Sequence, residues 1–194
     1  MGERLSRREV VARLVEDRGK MLVVSGLGSA TWDLAAAGDH AANFYLWGAM
    51  GGAAAMGLGL ALAQPEAPVL VLTGDGEMLM GLGSLATLAA AAPANLTVVV
   101  LDNQRYGETG MQESHTALGT DLAAVAVGTG FPEALRISDE VGLNALARRV
   151  TTVRGLLFAT VDIMRDDPPR VLPEKDAVVL KQRFRAALGC EPCG

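Results

Sequence analysis

Residues 69–106 read VLVLTGDGEMLMGLGSLATLAAAAPANLTVVVLDNQRY, and this stretch decides the fold. It opens on the apolar run Val69–Thr73, rich in β-branched side chains and bounded by turn residues. Such a run suits a strand buried on both faces. Gly74-Asp75-Gly76 ends it, two glycines around a carboxylate that permit a tight turn and close approach of a ligand to the backbone. A small-residue helix is predicted over about Leu82–Ala91, closed by Pro93 and Asn95, and a second buried strand over Leu96–Leu101 ends in Asp102-Asn103. The sum is a strand–helix–strand crossover with oxygen-bearing side chains at the ends of both strands. In open α/β sheets that end is where ligands sit. The expected fold class is therefore α/β, three-layer, with a mostly parallel sheet and helices on both faces.

The paired side chains have a definite chemistry. Asp75 offers an anionic oxygen and Asn103 a neutral amide oxygen. Mg2+ takes oxygen ligands and is usually held by one or two protein oxygens together with substrate phosphates, so a diphosphate is expected to complete the site. Upstream, the short strand Met21–Val24 leads into Ser25-Gly26-Leu27-Gly28-Ser29 and then a short helix around Thr31–Ala36. The free amides of such a loop can cradle a phosphate at the positive end of the helix dipole. Taken alone, the loop could be part of a dinucleotide fingerprint, but Thr31 stands where the third glycine belongs.

GDG at one strand end, with a second strand ending in Asn and followed by Tyr-Gly, resembles the diphosphate-binding motif of thiamine diphosphate enzymes. The family often has Asn-Asn where this chain has Asp102-Asn103, which leaves the ligand position itself unchanged. The resemblance implies Mg2+ bound by the side chains of Asp75 and Asn103 and the backbone carbonyl of Arg105. It implies a thiamine diphosphate site at Ser25, Gly26, Leu27, Gly28, Gly74, Asp75, Gly76, Glu77, Asn103, Arg105, Tyr106 and Gly107. Residues 43–56, NFYLWGAMGGAAAM, resemble the segment that supports the bent conformation of the cofactor. There Met50 would stand as the wedge between the two rings and the Gly48 carbonyl would accept a hydrogen bond from the aminopyrimidine.

The chain has 194 residues, half of them apolar, and a formal net charge of −5. It is expected to form a single diphosphate-binding domain over residues 1–194, with a flexible tail at 189–194. The charge and the lack of a long basic block argue against nucleic acid or an anionic membrane surface as main partner. The small-apolar run Met50–Ala63 is too short for a membrane span of about 20 residues, and MGERLSRREVV carries no apolar signal core. A cytoplasmic location is the expectation. Cys190 and Cys193 form a CxxC with no second ligand pair, read as part of the tail.

In order along the chain, Ser6-Arg7-Arg8-Glu9 has the form of a capping box for a helix over about Ser6–Arg18. Gly51–Ala63 reads as a small-residue helix packed closely on the sheet or on another subunit. The polar stretch Gln104–Thr116 is long enough for a lid. Glu108, Gln112 and His115 on it are candidates for substrate contact or proton transfer, with Met50, Glu108 and His115 the catalytic set; His40 is read as structural or solvated. Asp121 is expected to cap a helix through Val127, Leu135–Ile137 to form a short strand, and Ser138-Asp139-Glu140 to start a helix through about Val150. Leu156–Ile163 is a strand. Asp176–Leu188 is a last helix with Val178, Val179 and Phe184 inward and Lys181, Arg183 and Arg185 solvated.

Within the family, LDNQRYGETGMQ resembles the sulfopyruvate decarboxylase β subunits, with phosphonopyruvate decarboxylases near relatives. Both act on 2-oxo acids that carry a second anionic group. Glu113-Ser114-His115 departs from the Pro-Thr-like pair expected there, which leaves the particular 2-oxo acid open. The implied activity is decarboxylation of a small anionic 2-oxo acid. The implied partner is a pyrimidine-binding α-type subunit carrying the activating glutamate, giving a hetero-oligomer. An acetolactate synthase-like carboligase shares every residue named, and a non-catalytic phosphate- or nucleotide-binding module shares the fold.

Overall fold

The structure, a computed structural model, describes residues 4–152 and 155–190. In chain order it contains α1 (Arg7–Val15), β1 (Leu22–Ser25), α2 (Ser29–Ala36), β2 (Asn43–Tyr45), α3 (Ala53–Ala63), β3 (Val69–Gly74), α4 (Asp75–Met80), α5 (Ser84–Ala91), β4 (Leu96–Asp102) and the short β5 (Arg105–Tyr106) and β6 (Gln112–Glu113). There follow α6 (Leu122–Gly128), β7 (Ala134–Ile137), α7 (Glu140–Val150), β8 (Leu157–Asp162) and α8 (Ala177–Ala187). Six strands form one sheet in the order β2-β1-β3-β4-β8-β7, every pairing parallel.

Strand residues alternate between two cores, as the two-residue period of a strand requires. Leu70, Leu72, Val99 and Leu101 meet α1, α2 and α7, whereas Val69, Val71, Val98 and Val100 meet α3, α5 and α6. Both faces are covered, as the continuous apolar runs of β3 and β4 require. Full burial of Val10, Val11 and Leu14 on α1 stabilises the first of these packings by roughly 1.5–3 kcal/mol per side chain. On the other face α3 lies close to β3: a Cβ at Gly57 would come within 2.2 Å of Val71 Cγ2. This helix thus packs on the sheet, one of the two surfaces expected for it.

Several local expectations are corrected. The helix expected over Leu82–Ala91 is α5, and a further helix, α4, precedes it directly after β3; at the turn between them a Cβ on Gly81 would sit 2.2 Å from the Gly51 carbonyl oxygen. α3 begins at Ala53, not Gly51, whose φ of +86° lies outside helical space. Ser6 makes no side-chain cap; the start of α1 is pinned instead by the pairing of Leu5 with Ile163. On α8 the inward pair is Leu180 and Phe184, whereas Val178 and Val179 are 62 % and 47 % exposed. That helix straddles the β2 edge, with Leu180 in one core and Phe184 edge-on to Phe44 in the other. Arg183 is not simply solvated, since it forms an ion pair with Asp39.

Asp121, Asp139 and Asp176 cap their helices through side-chain oxygens. His40 Nδ1 accepts from the Ala42 amide, a turn contact. Cys193 and most of the expected tail lie outside the described residues. No helix among the described residues is long and apolar enough to cross a membrane.

The sheet order places the site. The chain leaves β1 toward β2 and returns on the other side as β3, so the loops after β1 and β3 diverge and open a crevice at the carboxyl ends. The same happens between β4 and β8, because β7 is laid down outside β8 before the chain returns.

Candidate active site

β3 runs straight into α4, with Gly74 as the capping residue and Asp75 in the first helical turn. In the register of β3 and β4, Gly74 stands opposite Leu101, so Asp75 and Asn103 emerge at neighbouring strand ends. Asp75 is 2 % exposed. Its Oδ2 accepts a 2.5 Å hydrogen bond from Ser114 Oγ and lies 3.3 Å from Thr116 Oγ1, which also donates to Asp102 Oδ1 at 2.8 Å. Burial pushes the Asp75 pKa up to about 6; the Ser114 hydrogen bond opposes the rise and the Asp102 carboxylate adds to it. Burial also raises the pKa of Asp102. Asn103 Oδ1 accepts from the Arg105 amide at 2.9 Å, an Asx turn that fixes the orientation of its amide.

These donors suit a hard divalent cation. Among the described residues no cationic side chain pairs with Asp75, and no group of three His, Cys, Asp or Glu side chains could hold a metal. One carboxylate and one amide oxygen leave most of an octahedral shell to other oxygens, the arrangement in which Mg2+ is shared with a phosphate ligand.

Glu77 is 4 % exposed and has a structural job. Its Oε2 accepts from Thr73 Oγ1 at 2.9 Å and its Oε1 from the Gly51 amide at 3.3 Å; hydrogen bonds from the Leu27 and Ala53 amides also favour its charged form, against a rise in pKa caused by burial. One carboxylate thus ties together the loop after β1, the segment before α3 and the end of β3. It fills the space a side chain on Gly26 would need, since a Cβ there would fall 1.6 Å from Glu77 Oε2. Glu77→Ala is expected to cost about 3 kcal/mol by stranding these buried donors. Urea unfolding checks this, and a loss below about 1 kcal/mol would show that the donors find other partners.

The segment Gln104–Thr116, expected as a polar loop, contains a small hairpin. β5 pairs antiparallel with β6, Met111 N donates to the Tyr106 carbonyl, and Ser114 N donates to the Gln104 carbonyl. The Tyr106 ring packs so closely on Gly76 that a Cβ at that glycine would lie 2.7 Å from Cδ1. Tyr106 Oη lies 2.7 Å from His115 Nδ1, and Arg105 forms an ion pair with Glu113.

One cleft collects most of the residues singled out in the sequence. Leu27, Met50, Gly74, Asp75, Gly76, Glu77, Asn103, Arg105, Tyr106, Gly107 and Glu108 all line it. Ser25, Gly26, Gly28, Gly48, Gln112 and His115 do not. The Ser25 hydroxyl is committed to Thr31 Oγ1 at 2.6 Å inside the turn. Gly28 lies under Glu108, whose Oε1 would be 2.5 Å from a Cβ there. Gly48 is exposed. Gln112 bonds to Thr109 within the hairpin, and His115 is exposed beside Tyr106. Ser29, the end of the phosphate loop read in the sequence, lines the cleft, whereas Arg7, Ala30, Leu101, Thr109 and Ile163 in its wall, and Ser114 and Thr116 on Asp75, were not legible as site residues. The two hydroxyls left a trace, Ser-x-Thr just after the glycine-containing stretch; Arg7 left none, because it reads as one of two arginines opening a surface helix.

Residues 26–171 match the thiamine pyrophosphate enzyme family, C-terminal TPP binding domain. The chain is 36 % identical over 187 residues to the sulfopyruvate decarboxylase subunit beta of Methanocaldococcus jannaschii, an alignment covering 94 % of this chain and 96 % of that one. It is 37 % identical to the same subunit of Methanothermobacter thermautotrophicus, covering 95 % and 94 %. A phosphonopyruvate decarboxylase of Streptomyces viridochromogenes is 39 % identical over 89 % of this chain, which spans only 43 % of that protein. A solved structure assigned to a thiamin diphosphate-dependent enzyme from Mycobacterium smegmatis superposes with a TM-score of 0.71 at 22 % identity, over 84 % of this chain and 32 % of that one, a likeness of fold.

Proposed function

The chain belongs to the thiamine pyrophosphate enzymes, through their C-terminal TPP binding domain, and on that premise we propose that it is the β-type subunit of a Mg2+-dependent 2-oxo acid decarboxylase of the sulfopyruvate/phosphonopyruvate kind. The observation that carries the reading is the single cleft into which Leu27, Met50, Gly74-Asp75-Gly76 and Asn103 converge from four separate parts of the chain. Near-complete mutual coverage with two sulfopyruvate decarboxylase β subunits supports the subunit assignment.

In this reading Asp75, Asn103 and the Arg105 carbonyl hold Mg2+. The loop Ser25–Gly28, Gly74, Gly76, Tyr106 and Gly107 shape the diphosphate site, and Glu77 keeps its walls together. Met50, half-buried on the cleft wall, would support the ring system, and Gly48, exposed just before it in the chain, would offer its carbonyl to the aminopyrimidine. Bound thiamine diphosphate supplies the electron sink for loss of carbon dioxide. In the same reading Glu108, on the cleft wall, and His115, outside it beside the Tyr106 hydroxyl, would contact substrate or carry a proton. A pyrimidine-binding α-type partner completes the site, the substrate is a small anionic 2-oxo acid, and the setting is cytoplasmic.

Thiochrome fluorescence of cofactor released from purified protein tests the binding, and carbon dioxide release from a panel of 2-oxo acids, with the partner present, tests the activity. No cofactor-dependent release from any of them would overturn the reading. Met50→Ala is expected to lower turnover by more than it weakens cofactor binding, because the diphosphate anchors remain. A destabilisation of about 2–5 kcal/mol with normal turnover per folded molecule would make Met50 a packing residue only.

A further inference from the structure

Arg7 lies on the N-terminal helix, outside the stretch that matches the family, yet its side chain lines the same cleft as Ser29, Gly74, Asp75 and Asn103. The residue is only 3 % exposed. Its Nε stands 3.0 Å from Asp33 Oδ2, but neither Nε nor Nη2 has an acceptor in hydrogen-bonding geometry among the described residues. Asp33 is shared, since Arg8 Nε donates to its other oxygen at 3.2 Å. Asp167, 4.0 Å from Arg7 Nη2, is 77 % exposed and screened by water. Two guanidinium groups share the buried Asp33 carboxylate, with the Asp166 carboxylate also close enough to act on it, and Arg7 keeps N–H groups without an acceptor among the described residues beside the cleft. A guanidinium cannot shed its protons, and buried N–H groups left without an acceptor carry a desolvation cost that a ligand oxygen would relieve. Ser29 and Ala30, also on the cleft wall, belong to the first turn of α2, where the helix dipole favours an anion as well.

We propose that Arg7 is a direct cationic contact to the diphosphate of the bound cofactor, neutralising charge that the Asp75–Asn103 metal site leaves over. The inference rests on the thiamine diphosphate reading above. Its function is electrostatic and bidentate, two N–H groups toward phosphoryl oxygens, and is distinct from holding α1 to α2.

The test is calorimetric titration of the full chain with thiamine diphosphate and with inorganic pyrophosphate, each with Mg2+. Arg7→Gln should weaken both ligands about tenfold or more, and Arg7→Lys should recover most of the loss, because an ammonium also binds phosphate as a point charge. Asp33→Asn breaks the same ion pair from its other side while leaving Arg7 charged, so it should bind both ligands at least as tightly as the wild type. Equal losses in Arg7→Gln and Asp33→Asn would reduce Arg7 to a helix-packing role. Unchanged affinities in Arg7→Gln, including the case in which only the KM for an anionic substrate rises, would also overturn the proposal. If Asp33→Asn does not fold, the comparison of Gln with Lys at position 7 decides. A wild-type chain that binds neither ligand would sink the cofactor reading itself, and the Arg7 proposal with it.

Discussion

Asp75→Ala is expected to abolish Mg2+-dependent binding of thiamine diphosphate while leaving the apo chain folded. Removing a group that merely orients a metal ligand typically costs 10- to 100-fold in affinity, so removing Asp75, the carboxylate proposed to hold the metal, should cost about 100-fold or more. The fold should survive because the side chain is buried at a cost: burial pushes its pKa up to about 6, and no cationic side chain among the described residues compensates it. The alanine leaves the Ser114 hydroxyl to its other neighbour, Thr116 Oγ1 at 2.8 Å. Calorimetry with thiamine diphosphate and Mg2+, beside a thermal melt of the apo protein, measures both halves of the expectation. Wild-type affinity in the variant would remove Asp75 from the metal site, and the loss of a folded apo state would make its role structural.

The isolated chain, loaded with Mg2+ and thiamine diphosphate, is expected to decarboxylate 2-oxo acids at least about 10²–10⁴-fold more slowly than the chain with its partner, the range a positioned acid or base contributes. The argument starts from the glutamates of the cleft. Two line it, Glu77 and Glu108. Glu77 is engaged with backbone amides and the Thr73 hydroxyl, whereas Glu108 is exposed on the hairpin, above Gly28 in the loop after β1. Glu77 is thus committed to the fold and Glu108 is the residue proposed for substrate contact, so on the proposed reading the glutamate that serves the aminopyrimidine ring comes from the partner chain. Steady-state assays of the chain before and after addition of the partner give the ratio. Full turnover by the lone, contaminant-free chain would show that one of the cleft glutamates does the work after all.

Local sequence determined a good part of this protein. The crossover from β3 to β4 follows from two β-branched apolar runs and the glycine punctuation between them, because a strand buried on both faces admits little else. Asp121, Asp139 and Asp176 cap helices through bonds made within three residues of themselves, so their role is written in the chain. The placement of Asp75 and Asn103 at neighbouring strand ends follows from the same parallel crossover, and both do line the cleft.

Tertiary structure decided the rest, wherever the partner of a group lies far along the chain. Glu77 stands two residues after Asp75 and reads as part of the same binding motif, but its carboxylate turns to amides brought by Leu27, Gly51 and Ala53. Residues 104–116 have the composition of a loop; their hairpin lies where Tyr106 packs on Gly76 and Ser114 bonds to Asp75, contacts made some thirty to forty positions away. Val178 and Val179 are apolar and yet exposed, because α8 wraps the edge of the sheet instead of lying flat on a face. Arg7 belongs to the cleft because Leu5 pairs with Ile163 and draws the start of α1 to the end of β8. That contact spans nearly the whole chain, and no periodicity or local motif encodes it, since it is fixed by where the sheet puts its last inserted strand.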